Sequence, residues 1–361
     1  MPSPAPPIAP GDLESVERSR RGLWLRLGLS LLLAVAFAAA LWPYLRAIPK
    51  DLTIAAWALP VFLGTLVPYH LLRAGRWHVL VRPLSAVPLS VTLRVSLAGY
   101  MWIALLPFRL GELARPLLLA QRSDVSMHRA LGTVAIERVL DGLVICGLFF
   151  AASAGREGRA ELAALQQATT GVMALFGVAL LGLVFMARWP RAMGGLLDAT
   201  VGRVLPRAGR LAAELSHGVA QGLAALPRGG ALLAFVGLTL LYWGSNALGM
   251  WVLAHGCDLP LGLADAVLVM AVMNIALLVP GGPAQLGIFQ TGVALGLHMV
   301  LPGRTIHDDG STFAFYLYVV QLGTIVLGGW WSQRSLGLDW RAVLDRRATP
   351  ATPDPPTEPS S

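Results

Sequence analysis

"LSVTLRVSLAGYMWIALLPFRLGELARPLLLA", residues 89–120, starts as an apolar run and breaks at Pro107 and Gly111, with Arg109, Glu112 and Arg115 crowding the break. The arm beyond it, "LARPLLLA", has about eight residues, too few to cross a hydrocarbon core of ~30 Å. The stretch therefore reads as a re-entrant hairpin that enters and leaves on one side. Irregular backbone at that depth is tolerated only where protein or water covers it. Residues 263–301 form a second apolar region, also broken by proline and glycine, which either turns back in the same way or crosses twice.

Around these two regions lie continuous apolar runs at about 23–42, 52–72, 131–152, 170–187, 231–254 and 312–332. Runs of this length are long enough to span a bilayer. Of the 361 residues, 55% are hydrophobic and 13% charged, which leaves too little polar sequence to coat so many runs in water. The expectation is an all-α polytopic membrane protein. It has about six full transmembrane helices plus two re-entrant or broken helical hairpins in an inverted-repeat arrangement. Residues 1–20 read as a disordered tail, 21–335 as the transmembrane domain and 336–361 as a disordered cytoplasmic tail, because both ends are rich in proline and poor in apolar residues.

The net charge of +8 is carried almost wholly by arginine, Lys50 being the only lysine. In such a chain the excess sets topology rather than nucleic-acid binding, for which no basic module interleaved with aromatics is visible. With the N-terminus inside, the loops near Arg73, Arg76 and Arg82, near Arg122 and Arg129, and from Arg188 to Arg228 fall on the cytoplasmic side. The C-terminal tail falls there too, and both termini are expected in the cytoplasm of a bacterial inner membrane. Trp330, Trp331 and Trp340 read as interface anchors. Cys146 and Cys257 lie far apart, with no CxxC neighbour, so neither a disulfide framework nor a metal site is expected. No cofactor is expected either.

An internal echo links the two broken regions: "MWIALLPFRLGE" (101–112) and "MNIALLVPGGPAQLG" (273–287) share Met-x-Ile-Ala-Leu-Leu, then proline, then a glycine turn. Similar broken segments of opposite orientation are the mark of transporter folds whose substrate sites lie between the repeats, near the midplane.

"ERVLDG" (137–142) adds ions to an apolar run. With a helix starting near 131, Glu137 lies about 9 Å inside and Asp141 about 15 Å. Glu137 and Asp141 share a face, and Arg138 can pair with Asp141. Each such ion costs ~2.5–3.5 kcal/mol at mid-bilayer, so they should face a polar interior. Two readings stand side by side. In one, Arg109 and Arg115 contact an anionic head group seated near Gly111, while Glu112, Glu137 and Asp141 balance charge or bind an exchanged proton. In the other, Glu112–Arg138 or Arg115–Asp141 pairs merely fasten the hairpin to the helix. Arg73 and Arg76, at the end of the span 52–72, read as cytoplasmic anchors. Gln285 and Gln290, beside Gly281 and Gly282, read as amides lining the cavity. The substrate-binding candidates are thus Arg109, Gly111, Glu112, Arg115, Glu137, Arg138, Asp141, Gln285 and Gln290.

Four motifs, "RAGRW" (73–77), "LLPFRLGELARPLLL" (105–119), "ERVLDG" (137–142) and "VPGGPAQLGIFQ" (279–290), in that order, resemble the lysylphosphatidylglycerol synthase transmembrane family, also called flippase-like integral membrane proteins. The resemblance covers about 50–335. It implies a multi-pass inner-membrane fold that moves lipids between leaflets, with an anionic phospholipid or lipid-linked head group as partner. Many relatives carry an asparagine pair where Ile103 and Ala104 stand here. The aminoacyl-transfer domain of the synthase relatives is not expected, since only a short tail follows 335, and the chain is not expected to be an enzyme. A small polar solute as cargo, a homo-oligomer, and a non-transporting partnership with envelope-synthesis enzymes remain as alternatives.

Overall fold

The computed structural model describes residues 52–106, 111–156, 160–204, 216, 219–223, 229–279, 282–301 and 309–337, and these are mostly helical with no strand among them. The expected span 23–42, both tails, Arg109, Gly281 and Trp340 lie outside the described residues. In chain order the described helices are α1 (Ala58–Val81), α2 (Leu89–Leu105), α3 (Ala114–Ala120), α4 (Met127–Ser153) and α5 (Ala160–Arg188). There follow α6 (Pro190–Val204), α7 (Gly230–Gly256), α8 (Leu263–Ala276), a 3-10 turn at Pro283–Gln285, α9 (Ile288–Val300) and α10 (Asp309–Ser335). Three of them, α5, α7 and α10, are long and apolar enough to cross a membrane. α1 and α4 are also long, and they carry the ions.

α1 departs from its expected bounds, 52–72. It starts at Ala58 and runs on past Arg73 and Arg76 to Val81. The arginines do not end the helix because partners inside the bundle meet them. One face of α1 buries Phe62, Leu66, Tyr69, Ala74 and Trp77, while Val61, Leu63, Val67 and Leu71 are exposed on the other. Both faces are apolar, the pattern of a helix between protein and lipid rather than protein and water. α5 extends ten residues earlier than its expected start, because "ELAALQQATT" is helix-favouring yet too polar to count toward a span. Only Leu162 and Thr169 of α5 are buried, so it lies at the periphery.

Two apolar clusters make the core. The larger gathers Phe62 and Tyr69 of α1, Ile145 and Phe149 of α4, Met250 and Leu253 of α7, and much of α8 and α9. The smaller gathers Trp77 and Leu80 of α1, Val95 of α2, Leu118 of α3, Val134 of α4 and Phe235 of α7. Along α1 the chain passes from the larger cluster to the smaller; along α4 and α7 it passes from the smaller to the larger. α1 therefore runs antiparallel to both, and the ionic residues occupy the layer between the clusters.

Contacts at the helix ends sort the loops into two sets. Arg129 Nη2 donates to Leu84 O (3.3 Å) and Arg122 Nη2 to Gly337 O (2.7 Å), which gathers the ends of α1, α3 and α10 with the start of α4. At the other end Arg156 pairs with Asp265 (2.5 Å), His298 lies 3.8 Å from Glu161, and Ala55 N–H donates to Gly256 O (2.9 Å).

Both broken regions are hairpins of unequal regularity. α2 stops at Leu105 and a short helical turn at 111–113 leads into α3. Gly111 is required there: a Cβ would collide with the Trp102 carbonyl and the Ile103 nitrogen. In the second region α8 and α9 pack closely because Gly292 and Gly296 meet the backbone of Met273 and Val269. Between them Ala284 (φ 57°) and Gln285 (φ 54°) both take left-handed backbone, which non-glycine residues seldom adopt. Tyr318 Oη donates to Ala284 O (2.9 Å) and holds this turn.

Candidate functional site

The ionic layer is built from α1, α3 and α4. Arg76, fully buried, reaches both carboxylates of α4: Nη2 donates to Glu137 Oε1 (2.8 Å) and to Asp141 Oδ2 (2.9 Å), and Nη1 to Asp141 Oδ1. Arg115 Nη2 donates to Glu137 Oε2 (2.6 Å), so Glu137 is clasped by two guanidiniums. Arg138 lies 3.2 Å from Asp141 and 3.9 Å from Glu112. Aromatic faces complete the seating, with the Arg115 guanidinium 4.9 Å from the Trp77 ring centre and Arg76 5.0 Å from that of Tyr242. Arg115 also packs against Gly99, where a Cβ would overlap its side chain.

Two expectations are corrected here. Arg76 is not a cytoplasmic anchor; it is the hub of the network. Arg115 pairs with Glu137 rather than Asp141, because Arg76 already holds Asp141 from the opposite side. The hub was missed because an arginine near the end of an apolar run usually reads as a topology signal. Its spacing from Arg73, one helical turn, was the available clue, since two cations on one face call for carboxylates nearby.

Beside the network lies a cavity of about 340 Å³, within the usual range for small-ligand sites. Arg73, Glu112, Arg138 and Asp141 form its ionic side, and Asn246, Asn274, Gln285 and Gln321 its amide side. Tyr100, Tyr242, Trp243, Phe289 and Tyr318 supply rings. Both echoing stretches reach it: Ile103 and Ala104 from the end of α2, and Met273, Asn274, Ile275, Leu277 and Leu278 from the end of α8. The apolar Ile103 and Ala104 thus stand on the wall itself.

Of the residues singled out in the sequence, Glu112, Arg138, Asp141 and Gln285 line this cavity. Arg115 and Glu137 do not; they are buried against each other, and Glu137 is also held by Arg76. Gln290 is also elsewhere engaged, its Oε1 accepting from Gly287 N–H (2.8 Å) at the start of α9, which is a capping role. Gly111 shapes the hairpin rather than the wall. Arg109 lies outside the described residues. Arg73 lines the cavity although the sequence reading made it an anchor: its guanidinium rests 4.1 Å from the Tyr100 ring centre.

The sequence model of the lysylphosphatidylglycerol synthase TM region matches residues 23–307. This chain belongs to that family. No curated protein and no solved structure matches it. As a lysylphosphatidylglycerol synthase TM-region protein the chain is a multi-pass membrane protein, and the matched span contains every residue of the ionic network and all of the cavity wall except Tyr318, Gln321, Leu322 and Ile325 of α10.

Proposed function

We propose that this protein moves a lipid, or a lipid-linked polar head group, across the bacterial inner membrane, with the cavity as the transit site. The observation that carries the reading is the meeting of the two echoing stretches at one cavity of mixed polarity. In repeat-built transporters the substrate site lies between the repeats.

In this reading α1, α4, α5, α7 and α10 together with residues 23–42 are the six spans, and α2–α3 and α8–α9 are the broken hairpins of an inverted repeat. The contacts at the helix ends support opposite entry of the hairpins. α2 begins and α3 ends among the arginine-rich loops, whereas α8 carries Asp265 in its first turn and α9 ends beyond His298, where Arg156 and Glu161 lie. The arginine-rich end is the cytoplasmic one, with both termini on that side. The ionic network is then the rigid partition against which the cavity is built, and transport, not bond-making, is its task.

The test is a leaflet-resolved assay in liposomes carrying a fluorescent phospholipid, with Ala104→Trp as the variant. Tryptophan at this wall position fills the cavity and leaves every ion pair in place. Wild-type protein should speed movement between leaflets, and Ala104→Trp should abolish the effect. Equal rates for the two would sink the transport reading.

A further inference from the structure

We infer that the cavity selects a phosphate diester whose other substituent is neutral and rich in hydroxyl groups, with the phosphate on Arg73 and the hydroxyls on Asn246, Gln285 and Gln321; this rests on the transport reading and names its substrate class.

Both carboxylates on the wall lie within 4 Å of an arginine. Asp141 is held by Arg76 and Arg138, and Glu112 faces Arg138. A cationic head group at Asp141 would have to displace the guanidinium of Arg76 from a buried pair, and breaking such a pair is costly. The balance of the cluster points the same way. Among the described residues the cluster holds four guanidiniums (Arg73, Arg76, Arg115, Arg138) and three carboxylates (Glu112, Glu137, Asp141). Arg73 is the one of these four with no carboxylate within 4 Å among the described residues.

Donors on the wall lack acceptors. Arg73 Nε, Tyr100 Oη and Trp243 Nε1 are buried and make no hydrogen bond among the described residues, and all three residues line the cavity. Buried polar groups left unpaired in a folded protein call for an explanation, and an oxygen-rich anion supplies acceptors for all three. The Tyr100 ring beneath the Arg73 guanidinium holds it in place without neutralising it.

The amides that line the cavity have a different character. Asn274 commits its Nδ2 to Met270 O (2.8 Å), whereas the side-chain amides of Asn246, Gln285 and Gln321 make no hydrogen bond among the described residues. An amide both donates and accepts, as does a hydroxyl, so these three match a polyol better than a charged amine. The left-handed turn at Ala284 and Gln285 sets Gln285 on the cavity wall, and residues in such backbone cluster at ligand sites.

The full chain, purified in detergent, is titrated with dioctanoyl forms of phosphatidylinositol, phosphatidic acid and lysylphosphatidylglycerol, and with soluble glycerophosphoinositol, reading tryptophan fluorescence. Phosphatidylinositol should bind at least about tenfold more tightly than lysylphosphatidylglycerol. Arg73→Gln should weaken phosphatidylinositol and phosphatidic acid alike by about tenfold. Gln321→Leu should weaken phosphatidylinositol about fivefold and leave phosphatidic acid unchanged. Should Arg73→Gln fail to fold, the Gln321→Leu split decides alone. Tighter binding of lysylphosphatidylglycerol, or no response to either substitution, overturns the inference. If glycerophosphoinositol binds as tightly as its lipid, the head-group chemistry stands and the lipid-moving reading falls. Liposomes that move lysylphosphatidylglycerol in preference leave transport standing and remove this selectivity.

Discussion

The first broken hairpin, α2 to α3, and the second, α8 to α9, end their leading arms in nearly the same five residues and meet at one cavity, yet they are held by opposite means. The first is pinned by charge: Arg115 of α3 is locked to Glu137, and Glu112 faces Arg138. The second is pinned by close backbone packing at Gly292 and Gly296, a cap from Gln290 and a hydroxyl on the turn from Tyr318. Neutral hydrogen bonds are each worth about 1 kcal/mol, while unpairing a buried ion costs several. The contrast leaves the first hairpin held by a few ionic contacts and the second by neutral packing and hydrogen bonds.

Breaking the ionic side should have the largest effect. Glu137→Ala leaves Arg76 and Arg115 without a shared acceptor and should cost about 3–5 kcal/mol, read as a fall in melting temperature and in folded yield from detergent. Next comes Gly111→Ala, whose methyl group meets the Trp102 carbonyl; about 1–3 kcal/mol should be lost in the same melt. On the neutral side Gln290→Ala removes only the cap of α9 and should cost about 1 kcal/mol, with affinity for phosphatidylinositol unchanged. A loss of binding there would return Gln290 to the cavity. Ala284→Gly is the smallest step: it relieves left-handed backbone and should alter stability by less than about 1 kcal/mol in either direction, while slowing lipid movement in liposomes by loosening Gln285.

Much of this architecture was written in hydrophobic length and punctuation. The breaks before Gly111 and after Leu278, and the apolar runs that became α4, α7 and α10, follow from the need to satisfy backbone groups in lipid, which is a one-dimensional constraint. Partner choice is not one-dimensional. "RAGRW" and "ERVLDG" stand some sixty residues apart, and nothing in their spacing says that Arg76 rather than Arg115 takes Asp141. That depends on the antiparallel alignment of α1 and α4, fixed by which apolar side chains fill the two clusters. For the same reason Gln285 and Gln290, five residues apart in one motif, could not be separated in advance. A left-handed turn sends one to the cavity and a helix start claims the other.

The ionic layer between the two apolar clusters also constrains how the chain can be made. During synthesis α1 emerges with Arg76 some sixty residues ahead of the carboxylates of α4, and an unpaired arginine at mid-bilayer carries a penalty of ~2.5–3.5 kcal/mol. On the proposed topology α1 settles in lipid only once α4 has been added, which makes this pair a single unit of insertion. A nascent chain halted before Met127 should leave α1 accessible from the aqueous side, and one extended past Ser153 should not.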